Sequence, residues 1–191
     1  MSAPGQTEMT QSGPDTDLTL RHYCSEPPRL GPSTLTADVY SKMVQMLPIV
    51  CVDCVLQRAD GKFLLVERVQ EPAKGFWWLP GGRLLKNESF FEGAVRKLKQ
   101  ETGIECTPAK LLAVYNAMYP RSAWDTEDYV GTHTVNAVVL MPVSQEVELK
   151  LDAQAKAHVW EPADWKYLEE KGYDTYVVRA IKSLNEGSFS V

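Results

Sequence analysis

The apolar residues of this chain fall into short runs that predict strands and into spaced stripes that predict helices. Residues 49–57, IVCVDCVLQ, are rich in β-branched side chains and predict the first core strand. An Asp60-Gly61 turn then leads into the run KFLLVER, so this pair of strands is predicted to form a hairpin. Further strands are predicted at residues 111–119, 133–143 and 157–162.

The best-marked helix follows a Gly-Gly turn at residues 81–82. Ser89 and Glu92 fit a capping box at its start, and Gly103 can end it in the left-handed conformation. A buried stripe at i, i+3, i+4 and i+7 is predicted for Phe91, Ala94, Val95 and Leu98. Shorter helices are predicted at residues 37–47, 162–170 and 174–184.

Strands interleaved with helices indicate one α/β layered domain, over residues 36–191. Residues 1–35 are rich in Ser, Thr, Pro, Gly and Gln without periodicity, which predicts a disordered or loosely docked N-terminal arm. The long polar loop at residues 120–131 joins two core strands, and a loop of that length is often functional.

The composition limits the kinds of partner that the protein is expected to bind. With 44% apolar and 24% charged residues, the 191-residue chain is typical of a soluble globular protein. Its net charge of −5 argues against a general nucleic-acid-binding surface. No apolar run of about 18 residues predicts a membrane span, and the N-terminus lacks the apolar region of a secretory signal. We therefore expect a cytoplasmic protein.

The four cysteines include one C-x-x-C pair, Cys51 and Cys54. No second pair completes a zinc site, and residues three apart on a strand point to opposite faces. These observations predict buried or half-buried reduced thiols.

The Gly-Gly turn and its helix carry the chemistry. Free backbone N–H groups and a positive dipole end at such a helix start suit a phosphate or a metal-bound diphosphate. The spacing from this turn resembles the Nudix signature, on the residues Gly82, Glu88, Arg96, Glu101, Gly103 and Ile104. The resemblance, with WWLPGG directly before it, implies an α/β/α sandwich with a mixed central sheet and a loop–helix platform.

Two helix positions depart from this signature. Acidic side chains at positions 97, 100 and 101 would converge on one metal ion, but the first two are Lys97 and Gln100. The more positive cluster argues against two or three metal ions. Glu101 remains either as a ligand of one hard cation or as an i, i+4 ion-pair partner of Lys97.

From about Thr36 to Trp165 the chain is most similar to the GDP-mannose mannosyl hydrolase branch of Nudix proteins, which has a similarly reduced motif. These enzymes attack the sugar carbon and release GDP and mannose, with one Mg²⁺ on the leaving diphosphate. The resemblance implies Mg²⁺, or Mn²⁺, bound by the Gly81 carbonyl, Glu101 and Gln154. It implies that three arginines bind the diphosphate or order its surroundings: Arg68, Arg83 and Arg96. It associates Asp53 with the substrate.

The expected proton acceptor is missing from this pattern. The histidine that acts as general base in the branch would stand at position 155, which is Ala155. His158 is the candidate substitute base, and His133 is expected to be a packed or capping histidine. Trp124 and Tyr129, in the polar loop, are candidates for contact with a nucleotide or with a partner. At least two of Phe76, Trp77 and Trp78 are expected in the core.

The resemblance implies a Mg²⁺-dependent hydrolase of a nucleoside diphosphate sugar and a homodimer with the N-terminal segment near its interface. Two alternatives stay open. One is a catalytically weak Nudix module that binds a nucleotide or a protein partner. The other is a Nudix phosphohydrolase of another nucleoside diphosphate derivative, with its base among Asp125, Glu127 and Asp128.

Overall fold

A computed structural model describes residues 31–32, 34–153 and 155–186, together with the backbone of residues 7–9 and 22–24. The strands are β1 (Thr7–Met9), β2 (His22–Cys24), β3 (Ile49–Arg58), β4 (Lys62–Arg68), β5 (Trp77–Trp78), β6 (Gly81–Arg83), β7 (Lys110–Tyr119), β8 (Thr132–Val143) and β9 (Ala155–Pro162). The helices are α1 (Ala37–Met46), α2 (Phe90–Thr102), α3 (Trp165–Glu170) and α4 (Thr175–Glu186).

Strand β3 is central to a mixed sheet that has seven strands within the described part of the chain. It runs parallel to β8 and antiparallel to β4 and β6. Strand β7 pairs with the outer edge of β8, while β5 and β9 pair with β4. The predicted hairpin and the predicted mixed central sheet are therefore confirmed.

Helices cover both faces of this sheet, because successive strand residues point to opposite sides. Along β4, Phe63 and Leu65 pack with α3 and α4, whereas Leu64 and Val66 pack with α2. Both apolar layers contain fully buried side chains. This arrangement is an α/β/α sandwich, and the predicted fold class is confirmed.

Local sequence explains helix α2. The Ser89 hydroxyl accepts a hydrogen bond from the Glu92 backbone N–H, and the Glu92 carboxylate accepts one from the Ser89 N–H. Gly103 ends the helix with φ 73°, a conformation that favours glycine. The predicted stripe is confirmed: Ala94 and Leu98 are fully buried, with Phe91 and Val95 packed beside them.

Several element boundaries differ from the sequence predictions. Strand β9 begins at Ala155, since the chain already pairs there with β4. Helix α3 begins at Trp165, because the Asp164 carboxylate caps it by accepting backbone N–H bonds. In the N-terminal arm, β1 and β2 form an antiparallel pair that the composition did not predict. The rest of the predicted arm, apart from a few residues after position 30, lies outside the described residues.

The aromatic segment before the turn divides between core and surface. Trp78 is buried, and Trp77 packs against the same core cluster. Phe76 is 53% exposed. The expectation that at least two of the three pack in the core is confirmed.

The cysteines follow their prediction where the structure describes them. Cys51 and Cys54 are buried, Cys106 is half-buried, and all three thiols are free. Burial raises the pKa of the Cys51 thiol to about 12, so that it stays protonated at neutral pH. The Cys24 side chain lies outside the described residues. Among the described helices, none has the length and apolarity needed to span a bilayer.

Candidate functional site

A cavity of about 250 Å³ lies beside the amino-terminal half of β3. Strand β6 and the start of β8 form two of its sides, and the polar loop after β7 contributes a third. Three basic side chains line it: Arg68, Arg83 and Lys97. Uncharged polar and acidic residues also line it, so the cavity offers groups that bind anions and groups that accept hydrogen bonds from a donor.

The polar side of the cavity is built around Asp53, which is only 4% exposed. Its Oδ2 accepts a hydrogen bond from Asn136 Nδ2 at 2.6 Å and another from the Tyr176 hydroxyl. The Trp78 ring stacks parallel to Tyr176, with centroids 5.0 Å apart. Burial raises the pKa of the Asp53 carboxyl, and the two hydrogen bonds oppose that rise. Packing and hydrogen bonds therefore hold this carboxylate in one orientation.

Two polar atoms on residues that line the cavity have no hydrogen-bond partner within the described structure. They are Thr134 Oγ1 and Asn136 Oδ1, both fully buried, on residues that line the cavity. Buried polar groups are nearly always hydrogen-bonded in folded proteins, and an unpaired one commonly indicates a ligand or a water. We call Asp53, Thr134 and Asn136 the acceptor cluster. It can receive hydrogen bonds from a ligand.

Two of the predicted arginines lie at the cavity wall. Arg68 donates from Nε to the Pro72 carbonyl at 2.8 Å, which orients its guanidinium. Arg83 donates from Nη1 to the Leu84 carbonyl at 3.2 Å, and its guanidinium lies 5.8 Å from the centre of the Tyr40 ring. Both positions suit the predicted binding of a diphosphate.

The third arginine, Arg96, has a different position. It forms a two-point ion pair with Glu88, with Nε–Oε1 2.6 Å and Nη2–Oε2 2.8 Å. It also donates to the Arg83 carbonyl at 3.0 Å, and Glu88 accepts from the Leu85 N–H at 2.9 Å. Arg96 is not among the residues that line the cavity. Of the two roles that the resemblance implies, the contacts favour ordering the loop over binding the diphosphate.

Glu101 does not face the cavity as a free ligand. Its Oε1 lies 2.7 Å from the Lys97 ammonium, and its Oε2 accepts a hydrogen bond from the Gly81 N–H at 3.1 Å. Both side chains of the Lys97–Glu101 pair are 9% exposed. Burial raises the pKa of Glu101, and Lys97 opposes that rise. Of the two roles considered for Glu101, the contacts match the ion pair, although it is buried and not solvated.

These contacts do not fit a divalent cation. Within the part of the chain that the structure describes, no three His, Cys, Asp or Glu side chains come together as a metal site. Gln154, the third predicted ligand, lies outside the described residues. The Lys97 ammonium also repels a cation that approaches Glu101. Of the predicted set of Gly81, Glu101 and Gln154, the described contacts pair Glu101 with Lys97 and with the Gly81 N–H, and the full set stays a prediction because Gln154 lies outside the described residues.

The candidate bases are not brought to the cavity. Ala155 pairs with Arg68 across β4 and β9, so the position of the missing histidine lies near the basic wall. His158 lies on β9 opposite Val66, is exposed and does not line the cavity. The prediction that His158 serves as the substitute base is wrong, because the pairing of β9 with β4 holds this residue outside the cavity.

The acidic residues of the polar loop have structural or exposed positions. Asp125 accepts backbone hydrogen bonds from Ser122 at 3.1 Å and from Gly131 at 2.7 Å, which closes the loop. Asp125, Glu127 and Asp128 are exposed, and none lines the cavity. The geometry gives no support to a catalytic base in this group.

Trp124 does reach the cavity, where its ring makes an edge-to-face contact with Tyr40 at 5.4 Å. Tyr129 is 55% exposed and lies outside the cavity lining. His133 is half-buried, with Nε2 3.4 Å from Asn116 Oδ1, as a packed histidine would be. Tyr40, Asn136 and Tyr176 were not predicted. Of these three, only Asn136 could have been singled out from the sequence, because it is a polar amide within an otherwise apolar strand.

Among the glycines that line the cavity, Gly81 has the least room for a side chain. A Cβ there would collide with the Val52 carbonyl oxygen and the Asp53 carboxylate. We expect Gly81→Ala to lower the free energy of unfolding by about 2 kcal/mol, since the obstructing backbone cannot move aside cheaply. Urea denaturation measures this loss. Gly172→Ala, where nothing lies within 4 Å, is the control and should cost about 1 kcal/mol through its left-handed φ of 76°. An equal loss in both variants would contradict the predicted collision.

Known proteins agree with this fold. A MutT protein from Methanosarcina mazei Go1 superposes with a TM-score of 0.58 and 23% identity, covering 74% of this chain and 97% of its own. An ADP-ribose pyrophosphatase from Methanocaldococcus jannaschii is 36% identical over 80 residues, which are 42% of this chain and 47% of the relative.

The strongest evidence for ancestry comes from longer matches. The low-salt glycan biosynthesis protein Agl8 from Haloferax volcanii is 30% identical over 149 residues, covering 78% of this chain and 89% of the relative. The family model of the NUDIX domain matches residues 47–177, which include β3, the Gly-Gly turn, α2 and β8. This chain therefore belongs to the Nudix hydrolase family.

Proposed function

We propose that this protein hydrolyses a nucleoside diphosphate sugar related to GDP-mannose and releases GDP and the free sugar. The observation that carries this proposal is one cavity whose lining includes both basic side chains and buried hydrogen-bond acceptors. A nucleoside diphosphate sugar has the matching groups, since its diphosphate is anionic and its sugar is rich in hydroxyl donors.

The basic wall supports the diphosphate part of the proposal. Arg68 donates one guanidinium N–H to the Pro72 carbonyl and Arg83 donates one to the Leu84 carbonyl, and these bonds orient both cationic groups at the cavity. A guanidinium pairs with phosphate oxygens at two points, which positions the ligand as well as attracting it. Stabilising a departing diphosphate requires positive charge at this place in the transition state.

The acceptor cluster supports the sugar part. Asp53 and the Asn136 carbonyl oxygen accept hydrogen bonds, and the Thr134 hydroxyl can accept or donate. A ligand without hydroxyl groups would leave these buried atoms unpaired, at a cost of about 1–3 kcal/mol each. The site should therefore discriminate in favour of a polyhydroxylated group. Trp124 and Tyr40 add an aromatic surface on which a base can stack.

The names of two relatives support the same substrate class. The name of the archaeal relative Agl8 refers to glycan biosynthesis, and such pathways use activated sugars. The name of the second relative specifies ADP-ribose, which is also a nucleoside diphosphate joined to a sugar. We extend that common chemistry to this chain, together with the homodimer that its resemblance implies.

A second candidate function is a Nudix module that binds the same ligand with slow turnover. Ala155 and the exposed position of His158 favour it, because no imidazole of the described residues lines the cavity. Loss of a general base typically lowers a rate by about 10²–10⁴-fold. Nudix hydrolases generally use divalent metals such as Mg²⁺ or Mn²⁺. The described donor set does not fit such an ion, so the proposed binding of the diphosphate depends on the basic side chains of the cavity.

One product assay tests both candidates. Purified protein is incubated with GDP-mannose, ADP-ribose and related compounds, in Mg²⁺ and in EDTA, and the products are separated by anion exchange. We expect GDP plus free sugar; GMP plus sugar phosphate would instead indicate attack at phosphorus. Calorimetry with the same compounds completes the test. Tight binding without turnover would support the module, and neither binding nor turnover would reject both functions.

A further inference from the structure

We propose that the Lys97 ammonium takes the place of a divalent cation in this site, so that the protein binds its diphosphate ligand without metal. The ligand class rests on the proposed function, whereas the absence of a cation site among the described residues rests on the contacts of Lys97. The two parts of the proposal therefore have separate experiments.

The first observation is the position of the ammonium. Lys97 Nζ lies 2.7 Å from Glu101 Oε1 and 3.5 Å from Gln100 Oε1. These are the side-chain oxygens that a hard cation on this helix would use. The second carboxylate oxygen of Glu101 is occupied by the Gly81 N–H. A single positive charge therefore already balances the buried carboxylate.

The second observation is the order of these groups from the cavity inward. Lys97, Gly81 and Gly82 line the cavity, but Glu101 does not. The lysine thus separates the carboxylate from any ligand. A cation entering from the cavity meets an ammonium first, and the repulsion between them is largest where water is excluded.

The third observation is how the backbone accommodates the lysine. Gly82 has φ 148°, and a Cβ at this residue would come within 2.8 Å of Lys97 Cε. The glycine therefore leaves room for the aliphatic part of Lys97 to lie against the turn. The ammonium is held by this packing and by Glu101, and is fixed before the ligand arrives.

These contacts give the cavity three fixed cations, Arg68, Arg83 and Lys97. The diphosphate of a nucleoside diphosphate sugar carries two negative charges, which match Arg68 and Arg83, and Lys97, whose charge Glu101 already balances, can donate a further ammonium N–H to it. Because the charges are supplied by side chains, the affinity of the protein for a nucleoside diphosphate should not depend on free Mg²⁺. We expect the dissociation constant of GDP to change by less than about threefold between EDTA and saturating Mg²⁺.

The cation site itself is tested without nucleotide. Mn²⁺ binding is measured by electron paramagnetic resonance for the wild type, for Lys97→Glu and for Lys99→Glu. We expect weak binding by the wild type and at least a tenfold gain for Lys97→Glu, which would pair a second carboxylate with Glu101. Lys99→Glu is the matched control with the same change of charge on an exposed side chain, where no gain is expected.

Each result has one meaning. Micromolar Mn²⁺ binding by the wild type, or no gain in folded Lys97→Glu, overturns the proposal. If Lys97→Glu does not fold, Lys97→Gln serves instead, and an Mn²⁺ affinity equal to that of the wild type overturns it. A GDP affinity that falls more than tenfold in EDTA also overturns it. If GDP binds in neither condition the proposed function fails, while the Mn²⁺ titration still decides the role of Lys97.

Discussion

Replacing Arg96 with alanine is expected to lower the free energy of unfolding by about 3 kcal/mol. The change removes both hydrogen bonds to Glu88, whose side chain is only 3% exposed, and leaves that carboxylate buried without its cation. Breaking such a buried pair from one side typically costs about 3–5 kcal/mol, and the lower end applies because Arg96 is itself partly exposed. The measurement is urea denaturation followed by circular dichroism.

The same variant is expected to weaken GDP binding, since Arg96 also binds the Arg83 carbonyl and so positions the basic wall. Lys99→Ala is the control: Lys99 lies on the same helix, in an exposed ion pair with Glu105. Its loss should cost less than about 1 kcal/mol and leave GDP binding unchanged. Equal losses of stability in the two variants would show that the Glu88 contact does not hold the loop.

Replacing Asp53 with asparagine is expected to have opposite effects on binding and stability. The affinity for the nucleoside diphosphate sugar should fall about 10–100-fold, the effect of one hydrogen bond to a charged group worth about 1.5–3 kcal/mol. Stability at neutral pH should rise, because burial raises the pKa of the carboxyl more than its hydrogen bonds lower it, so that the ionised form is disfavoured in the folded protein. Calorimetry and urea denaturation measure the two effects.

The gain in stability should depend on pH in a stated direction. Burial raises the pKa of Asp53 above its ordinary value of 3.8, so the folded protein holds this proton more tightly than the unfolded chain does. Stability is therefore lost as the pH rises above 3.8, until the folded carboxyl has also ionised. The advantage of Asp53→Asn over the wild type should grow across that interval and then level off.

Asp38→Asn is the control for these measurements, since Asp38 is exposed on α1 and forms an ion pair with Lys42 along that helix. It should change neither sugar-nucleotide affinity nor the pH dependence. A pH profile of Asp53→Asn parallel to that of the wild type would contradict the inferred shift. Retained affinity in that variant would remove Asp53 from the ligand site.

The features that could be predicted from sequence are those encoded by neighbouring residues. The capping box of Ser89 and Glu92, the left-handed end at Gly103 and the stripe on α2 each depend on contacts within about one or two helical turns. The longer strands β3, β4, β7, β8 and β9 were predicted for the same reason, because apolar and β-branched runs are visible along a single segment, whereas the short strands β1, β2, β5 and β6 were not predicted. The boundaries of β9 and α3 were less accurate, since they depend on the partner strand and on the cap at Asp164.

The candidate site was only partly predictable. Arg68, Arg83 and Asp53 were named from a resemblance and Trp124 from its place in the polar loop, and all four line the cavity. The prediction that His158 is the substitute base was wrong. The register of β9 on β4 holds this residue outside the cavity, and no local sequence pattern encodes that register. The Tyr176 partner of Asp53 lies 123 residues further along the chain, and no spacing rule connects the two.

By itself the sequence determined the family, through the spacing from Gly82 to Gly103, and the class of fold, through the order of its strands and helices. The tertiary structure alone decided which charges face the ligand. Whether Lys97 and Glu101 are a solvated pair or a buried one depends on the Gly81 N–H and on the sheet beneath them. Burial and long-range contacts set the energy of a charge, and neither is a property of its position in the chain.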